Sequence, residues 1–224
     1  MKRGTVSVLS HAMRAGMPAL PAKGGMITSG RIFSEDLRAA GWRSRGYLPH
    51  FEGGEVAQFV TFRLKDSLPQ SVVERWRREL SQDDDAALRR RVEAYLDEGY
   101  GAASLKQPRV ASVVQDALLY YDGERYRLAA WVIMPNHVHL LATPCAGHTL
   151  SGVMHSIKSY TASEANKLLG QRGAFWMEDY FDRYIRNSAH YERTVLYIEN
   201  NPVKAKLCRA PEEWPFSSAK FRDT

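Results

Sequence analysis

Apolar positions along the chain follow two periods, one near two and one near 3.6, and their order sketches a fold. VAQFVTFRL (56–64) is β-branched and aromatic and reads as a strand. Pro69 then opens a helical stretch, the favoured place for proline. Trp76, Leu80, Leu88, Val92, Tyr95 and Leu96 give that stretch a partial apolar stripe, and the acidic triplet at 83–85 interrupts it. VASVVQDALLYY (110–121) is a second helix, followed by an Asp122-Gly123 turn. RYRLAAWVIM (125–134) and HVHLLAT (137–143), joined by Pro135-Asn136, have a hairpin pattern. A helix is expected from about Leu150 to Leu169, ended by Gly170, and a short strand near Arg183–Arg186. SAHYERTVLYIENN (188–201) reads as a helix capped by Ser188 and stopped by Pro202. The order β, α, α, β, β, α, β, α describes an α+β domain with a mostly antiparallel sheet and helices packed on it. Residues 1–40 lack periodicity and read as loosely ordered, with a short helix near Ser34–Ala40. Residues 41–54 are turn-rich, and Trp214, Pro215 and Phe216 are expected to pack back on the body.

Composition adds a class. The 224 residues are 44% hydrophobic, enough for one domain with a proper core. No apolar run approaches the ~20 residues of a membrane span, and the start has no signal-peptide pattern. Two cysteines, Cys145 and Cys208, build neither a disulfide framework nor a four-cysteine zinc site, so we expect reduced thiols and a cytoplasmic setting. The net charge of +6 is unevenly spread: residues 1–50 hold eight Lys/Arg against two Asp/Glu, and the other 174 residues sum to zero. The expected division is a basic arm over 1–41, suited to nucleic acid or to solubility, and a folded domain over 42–224.

Candidate chemistry rests on two local patterns. His137-Val138-His139 on a strand sends both imidazoles to one face, where neutral rings suit a divalent metal. No zinc-protease motif accompanies the pair, and Leu141 stands where a His-x-His-x-Asp hydrolase needs its carboxylate. Tyr197 and Asn201, one helical turn apart, set a phenol beside an amide. Each pattern alone better suits ordinary structural residues. Together they fit phosphodiester transfer, which needs an in-line nucleophile, neutralised non-bridging oxygens and a stabilised leaving oxygen.

WVIMPNHVHLLATP (131–144) resembles the block in which IS200-like, single-tyrosine transposases carry two histidines around a bulky hydrophobic residue, here Val138. RGYLPHF (45–51), VTFRLKDSLP (60–69), SIKSYTASEANK (156–167), FWMEDYFDRYIRN (175–187), YIENNPVKAKL (197–207) and WPFSSA (214–219) resemble, in order, the REP-associated tyrosine transposase family. The resemblance covers roughly 42–220. It implies a ferredoxin-like or RRM-like sheet with the histidine pair on a central strand. It also implies His137, His139 and Asn201 as ligands of Mg²⁺ or Mn²⁺, and Tyr197 as nucleophile through a 5′-phosphotyrosine. The implied partner is single-stranded or hairpin DNA of REP-like palindromes in a bacterial, nucleoid-associated setting, with monomer and homodimer both open. Lys158, Arg183, Arg186 and Lys204 are the expected phosphate contacts, and Trp176, Tyr180 and Phe181 candidates for base stacking. A hairpin binder without turnover, another two-histidine DNA enzyme and a metal-activated-water nuclease remain alternatives.

Overall fold

The computed structural model describes residues 42–44, 49–51, 53–80 and 85–222. The arm over 1–41 and the short helix expected near Ser34–Ala40 lie outside them. Two three-residue strands, β1 (Trp42–Ser44) and β2 (Pro49–Phe51), pair antiparallel, where the sequence suggested only turns. Strands this short leave no periodic signature, so the pairing is set by contacts with the body. β3 (Gln58–Arg63), β4 (Tyr126–Ile133), β5 (His137–Pro144) and β6 (Phe181–Tyr184) form a four-stranded antiparallel sheet in the order β4-β5-β3-β6.

Two helices follow β3: α1 (Gln70–Glu79), entered through Pro69, and α2 (Asp85–Asp97). α3 (Pro108–Tyr120) comes before β4, and α4 (Leu150–Leu169) lies between β5 and β6. The β-α-β-β-α-β succession with this strand order is the ferredoxin-like arrangement, and β5, which carries the histidines, lies inside the sheet. Fold class and central strand are thus as the sequence implied. β6 begins two residues earlier than expected.

Period-two alternation decides what each face of the sheet meets. Val60, Phe62, Leu128, Trp131, Ile133, Val138, Leu140 and Ala142 pack into a core with α3 and α4. Phe59, Ala130, Val132 and Leu141, on the other face, pack against Val195 and Ile198 of α5 (Ser188–Lys204). A third cluster joins α1 and α2 through Val73, Leu88, Val92 and Leu96.

α5 departs from expectation at both ends. Its cap is Asn187, one residue before Ser188, whose side-chain oxygen accepts from His190 N at 2.8 Å. Pro202 does not stop the helix, which runs on to Lys204. A proline clashes with the carbonyl one turn back and removes one bond, but in the last turn little helix remains to be disturbed. Ala205 N still donates to Asn201 O at 2.9 Å. Gly170, at φ +63°, closes α4 in the left-handed conformation that glycine adopts without penalty. The tail packs back as expected: Trp214 Nε1 donates to Ile133 O (2.9 Å), Ile133 N to Phe216 O (2.9 Å) and Trp131 N to Ser218 Oγ (3.1 Å). These bonds cover the outer edge of β4. No helix among the described residues is long and apolar enough to cross a membrane.

Candidate active site

His137 and His139 point from β5 to the α5 face, and both are fully buried. Each ring is oriented at Nδ1 by a neighbour. Asn136 Nδ2 donates to Tyr100 O at 3.0 Å, which turns its Oδ1 towards His137 Nδ1 at 2.7 Å. His137 therefore donates from Nδ1 and, when neutral, keeps a lone pair on Nε2. His139 Nδ1 meets Thr61 Oγ1 at 2.7 Å, from the residue that faces it across the β3–β5 ladder. The two Nε2 atoms then face each other at 3.1 Å. Burial, with the charge of Lys204, lowers His137 to about 3, and burial followed by His137 and Lys204 holds His139 well below its usual value. Both rings are neutral at physiological pH.

This pair fits a divalent cation. Two imidazole nitrogens ~2.1 Å from one ion at tetrahedral or octahedral angles stand about 3.0–3.4 Å apart, and these stand 3.1 Å apart. The remaining nitrogen of each ring is hydrogen-bonded, the usual second layer of a metal-binding histidine. No group of three His, Cys, Asp or Glu that could hold a metal occurs among the described residues. A third protein ligand would therefore be an amide, and Asn201 is fully buried with neither Oδ1 nor Nδ2 hydrogen-bonded. A buried amide without partners costs about 1–3 kcal/mol, so its retention suits a site that completes it with a ligand.

Tyr197 precedes Asn201 by one turn of α5. Its ring lies 5.6 Å from His139 and 5.8 Å from Phe59, centre to centre. The phenol oxygen is buried and closes no hydrogen bond of ordinary geometry. Burial first, then the charges of Glu93 and Asp97, push its proton affinity far above the ordinary value, while Asn201 opposes. Glu93, on α2, is itself raised by burial, with Tyr197, Arg183 and Lys204 pulling the other way. The tyrosine is thus a neutral phenol beside a carboxylate rather than a phenolate beside a cation. The nearest cationic groups are Lys204, whose Nζ lies 5.8 Å from the ring centre while paired to Asp97 at 2.7 Å, and Arg183.

The four expected phosphate contacts separate. Arg183 alternates with Asp182 on β6 and shares the face of His139, its guanidinium 5.6 Å from the Phe59 ring. Arg186 follows β6, exposed, and its charge joins that of Arg183 on His190. Lys204 ends α5 near Tyr197. Lys158 lies on the opposite side of the sheet. It donates from Nζ to Glu178 O, and burial lowers it to about 8. With His50, Asp179 and Tyr180 it lines a cavity of about 550 Å³ beside α4. Trp176 is a core residue that donates from Nε1 to Thr161 Oγ1 at 2.9 Å. Phe181 packs against the α1–α2 cluster.

Thr61, Asn136 and Glu93 escape a reading of the sequence. Asn136 has a local signal in its position next to His137. Thr61 and Glu93 reach the site through the fold alone, and Glu93 sits in a charged run that reads as a solvated helix face.

The resemblance read from the sequence is borne out. Residues 104–201 match the protein family described as transposase IS200 like. A REP-associated tyrosine transposase of Escherichia coli (strain K12) is 30% identical over 108 residues, covering 47% of this chain. The chain spans 62% of that relative's length. A solved structure of a REP-associated tyrosine transposase bound to a REP hairpin matches with a TM-score of 0.51 and 19% identity, over 79% of this chain and 84% of the other. At that identity the match speaks for the fold.

Proposed function

We propose, from the match of residues 104–201 to the IS200-like transposase family, that this protein cuts and rejoins single-stranded or hairpin DNA through a covalent bond to Tyr197. One observation carries the reading: two buried histidines converge through Nε2 at 3.1 Å beside a tyrosine whose hydroxyl is buried and an asparagine amide without a hydrogen bond of ordinary geometry. The residues fit Mg²⁺ or Mn²⁺ on His137, His139 and Asn201, which when bound would neutralise the non-bridging oxygens of the scissile phosphate.

The chain's own residues do the rest. Asn136 holds His137 in the tautomer that keeps its Nε2 free, and Thr61 fixes the orientation of the His139 ring through Nδ1. Tyr197 Oη attacks phosphorus, and the bond to the 3′-oxygen breaks. The phenol proton passes to Glu93, and the departing 3′-oxygen takes up a proton from water to become a hydroxyl. One phosphate ester replaces another, so a 3′-hydroxyl can later reverse the step without an energy source. Arg183 and Lys204, near the phenol, steady the phosphate backbone. A REP-like hairpin is the proposed substrate, by analogy with the relatives' names.

The test is incubation with labelled single-stranded DNA carrying an imperfect hairpin, with and without Mn²⁺, read as an adduct that survives SDS. The expected result is an adduct in the wild type with metal and none in Tyr197→Phe. Tyr197→Phe keeps the ring and its edge contact with Phe59, so a melting temperature near that of the wild type is the check that the variant folds. Cleavage that persists in Tyr197→Phe would overturn the tyrosine mechanism.

A further inference from the structure

α2 belongs to none of the residues matched by the transposase family, yet it walls the active site. Glu93 lies against Tyr197, Asp97 ties α2 to α5 through Lys204 at 2.7 Å, and Arg89 and Arg90 face β6. Between α2 and β6 is a cavity of about 230 Å³, lined among others by Arg89, Arg90, Arg183, Glu93 and Phe59. Phe59 is the residue whose ring also touches His139 and Tyr197, so this cavity adjoins the nucleophile.

Three arginines line the cavity, and the charge of Arg89 acts on Arg183. Two other arginines of the α1–α2 pair share a carboxylate: Arg91 pairs with Glu79 at 2.7 Å and Arg75 with the same Glu79 at 3.8 Å. Arg89, Arg90 and Arg183 form no ion pair among the described residues, and the acidic side chains lining the cavity with them are Glu93 and Asp182. Asp182 turns away to His50 and to Phe51 N on the other face of the sheet. Glu93 is shared between the phenol and the charge of Arg183, one carboxyl group for three arginines. Like charges in excess over their counter-charges oppose folding, and an anion between them removes that cost. The planar fork of arginine suits a phosphate diester in particular.

We propose that Arg89 and Arg90 of α2, with Arg183 of β6, form a binding site for a backbone phosphate flanking the one that Tyr197 attacks. The inference rests on the strand-cutting reading, since it takes the ligand to be the DNA strand at the active site. α2 then has two tasks: Glu93 handles the proton of the nucleophile, and two arginines one turn away hold the strand in register with it. A phosphate contact of this kind fixes position without reading sequence.

The experiment compares the wild type with an Arg89→Gln/Arg90→Gln double variant. Arg90 is exposed and Arg89 half-buried on α2, and equal melting temperatures verify that the variant folds. The probe is the hairpin oligonucleotide with one charge-neutral methylphosphonate linkage, moved through every position of its single-stranded flank. The variant should bind unmodified DNA about tenfold more weakly, with a shallower dependence on salt. One linkage position should cost the wild type about the same factor and cost the variant nothing. If neutral linkages penalise both proteins equally at every position, or if the variant binds as well as the wild type, the phosphate site is overturned. Adduct formation by the wild type on unmodified DNA is read in parallel. A Tyr197 adduct without an interacting linkage removes only the role of α2. An interacting linkage without an adduct leaves α2 as a DNA contact and removes the strand-cutting reading.

Discussion

Asn201 concentrates the conflict between stability and function in one side chain. Its amide is fully buried and meets no partner, a cost of about 1–3 kcal/mol to the metal-free chain. Asn201→Leu, similar in volume and without polar atoms, should therefore raise the melting temperature in EDTA. In Mn²⁺ the order should reverse, because the wild type gains stability from its ligand and the variant gains less. Calorimetry in the two buffers decides it: equal responses to Mn²⁺ would remove Asn201 from the site. At this scale the sequence was legible where partners are close in the chain. His137 and His139 share a strand face, Tyr197 and Asn201 a helix face, and both spacings are fixed by backbone geometry. Thr61, across a strand pair, and Glu93, across a helix contact, could not be read, because no local spacing encodes which distant segment arrives.

Between elements, the least expected tie joins β2 to β6. His50 donates from Nδ1 to Asp182 Oδ1 at 2.5 Å and from Nε2 to Asp179 Oδ1 at 2.8 Å. Burial alone would lower this imidazole, but the hydrogen bonds and charges of Asp179 and Asp182 outweigh it and raise it to about 9. A group that binds its proton more tightly when folded contributes stability that is complete below its unfolded value, near 6.5, and is lost as pH rises through about 9. The melting temperature should accordingly fall between pH 6.5 and 9, by a stability change of up to about 3 kcal/mol. His50→Gln should flatten that fall; an equal slope in the variant would assign it to other groups. Element boundaries were legible where a period ran long, as in α4, which spans the expected residues and ends at the expected glycine. They were not where an element is short or where rules compete. β1 and β2 are too brief for a pattern, and Pro202 breaks a propensity rule that the final turn of α5 tolerates.

At the scale of the molecule, the sheet separates two kinds of surface. One face carries the histidines, Tyr197 and Arg183 under α5 and α2; the other carries the core with α3 and α4. The alternation of β3, β4 and β5 made this division legible, whereas the position of α2 over Tyr197 was not, since its charges look like those of any exposed helix. Residues 1–41 hold six Lys/Arg against two Asp/Glu, most of the net charge of +6. A chain lacking them should still form the Tyr197 adduct but bind DNA with a salt slope shallower by about 0.7 for each phosphate that the arm neutralises. An unchanged slope in a titration of affinity against salt would exclude the arm from DNA binding. The cover over β4 has a different implication, for synthesis. The outer backbone of that strand is satisfied by residues 214–218, and Arg222 reaches back to Glu199 and to Ala129 O. A nascent chain that has released β4 and β5 but not this stretch exposes a bare strand edge, the form most apt to pair with a neighbouring chain. Translation that stalls just beyond α5 should then yield aggregates rather than a partly active chain, which makes the rate of elongation through residues 205–222 a determinant of how much folded protein a cell obtains.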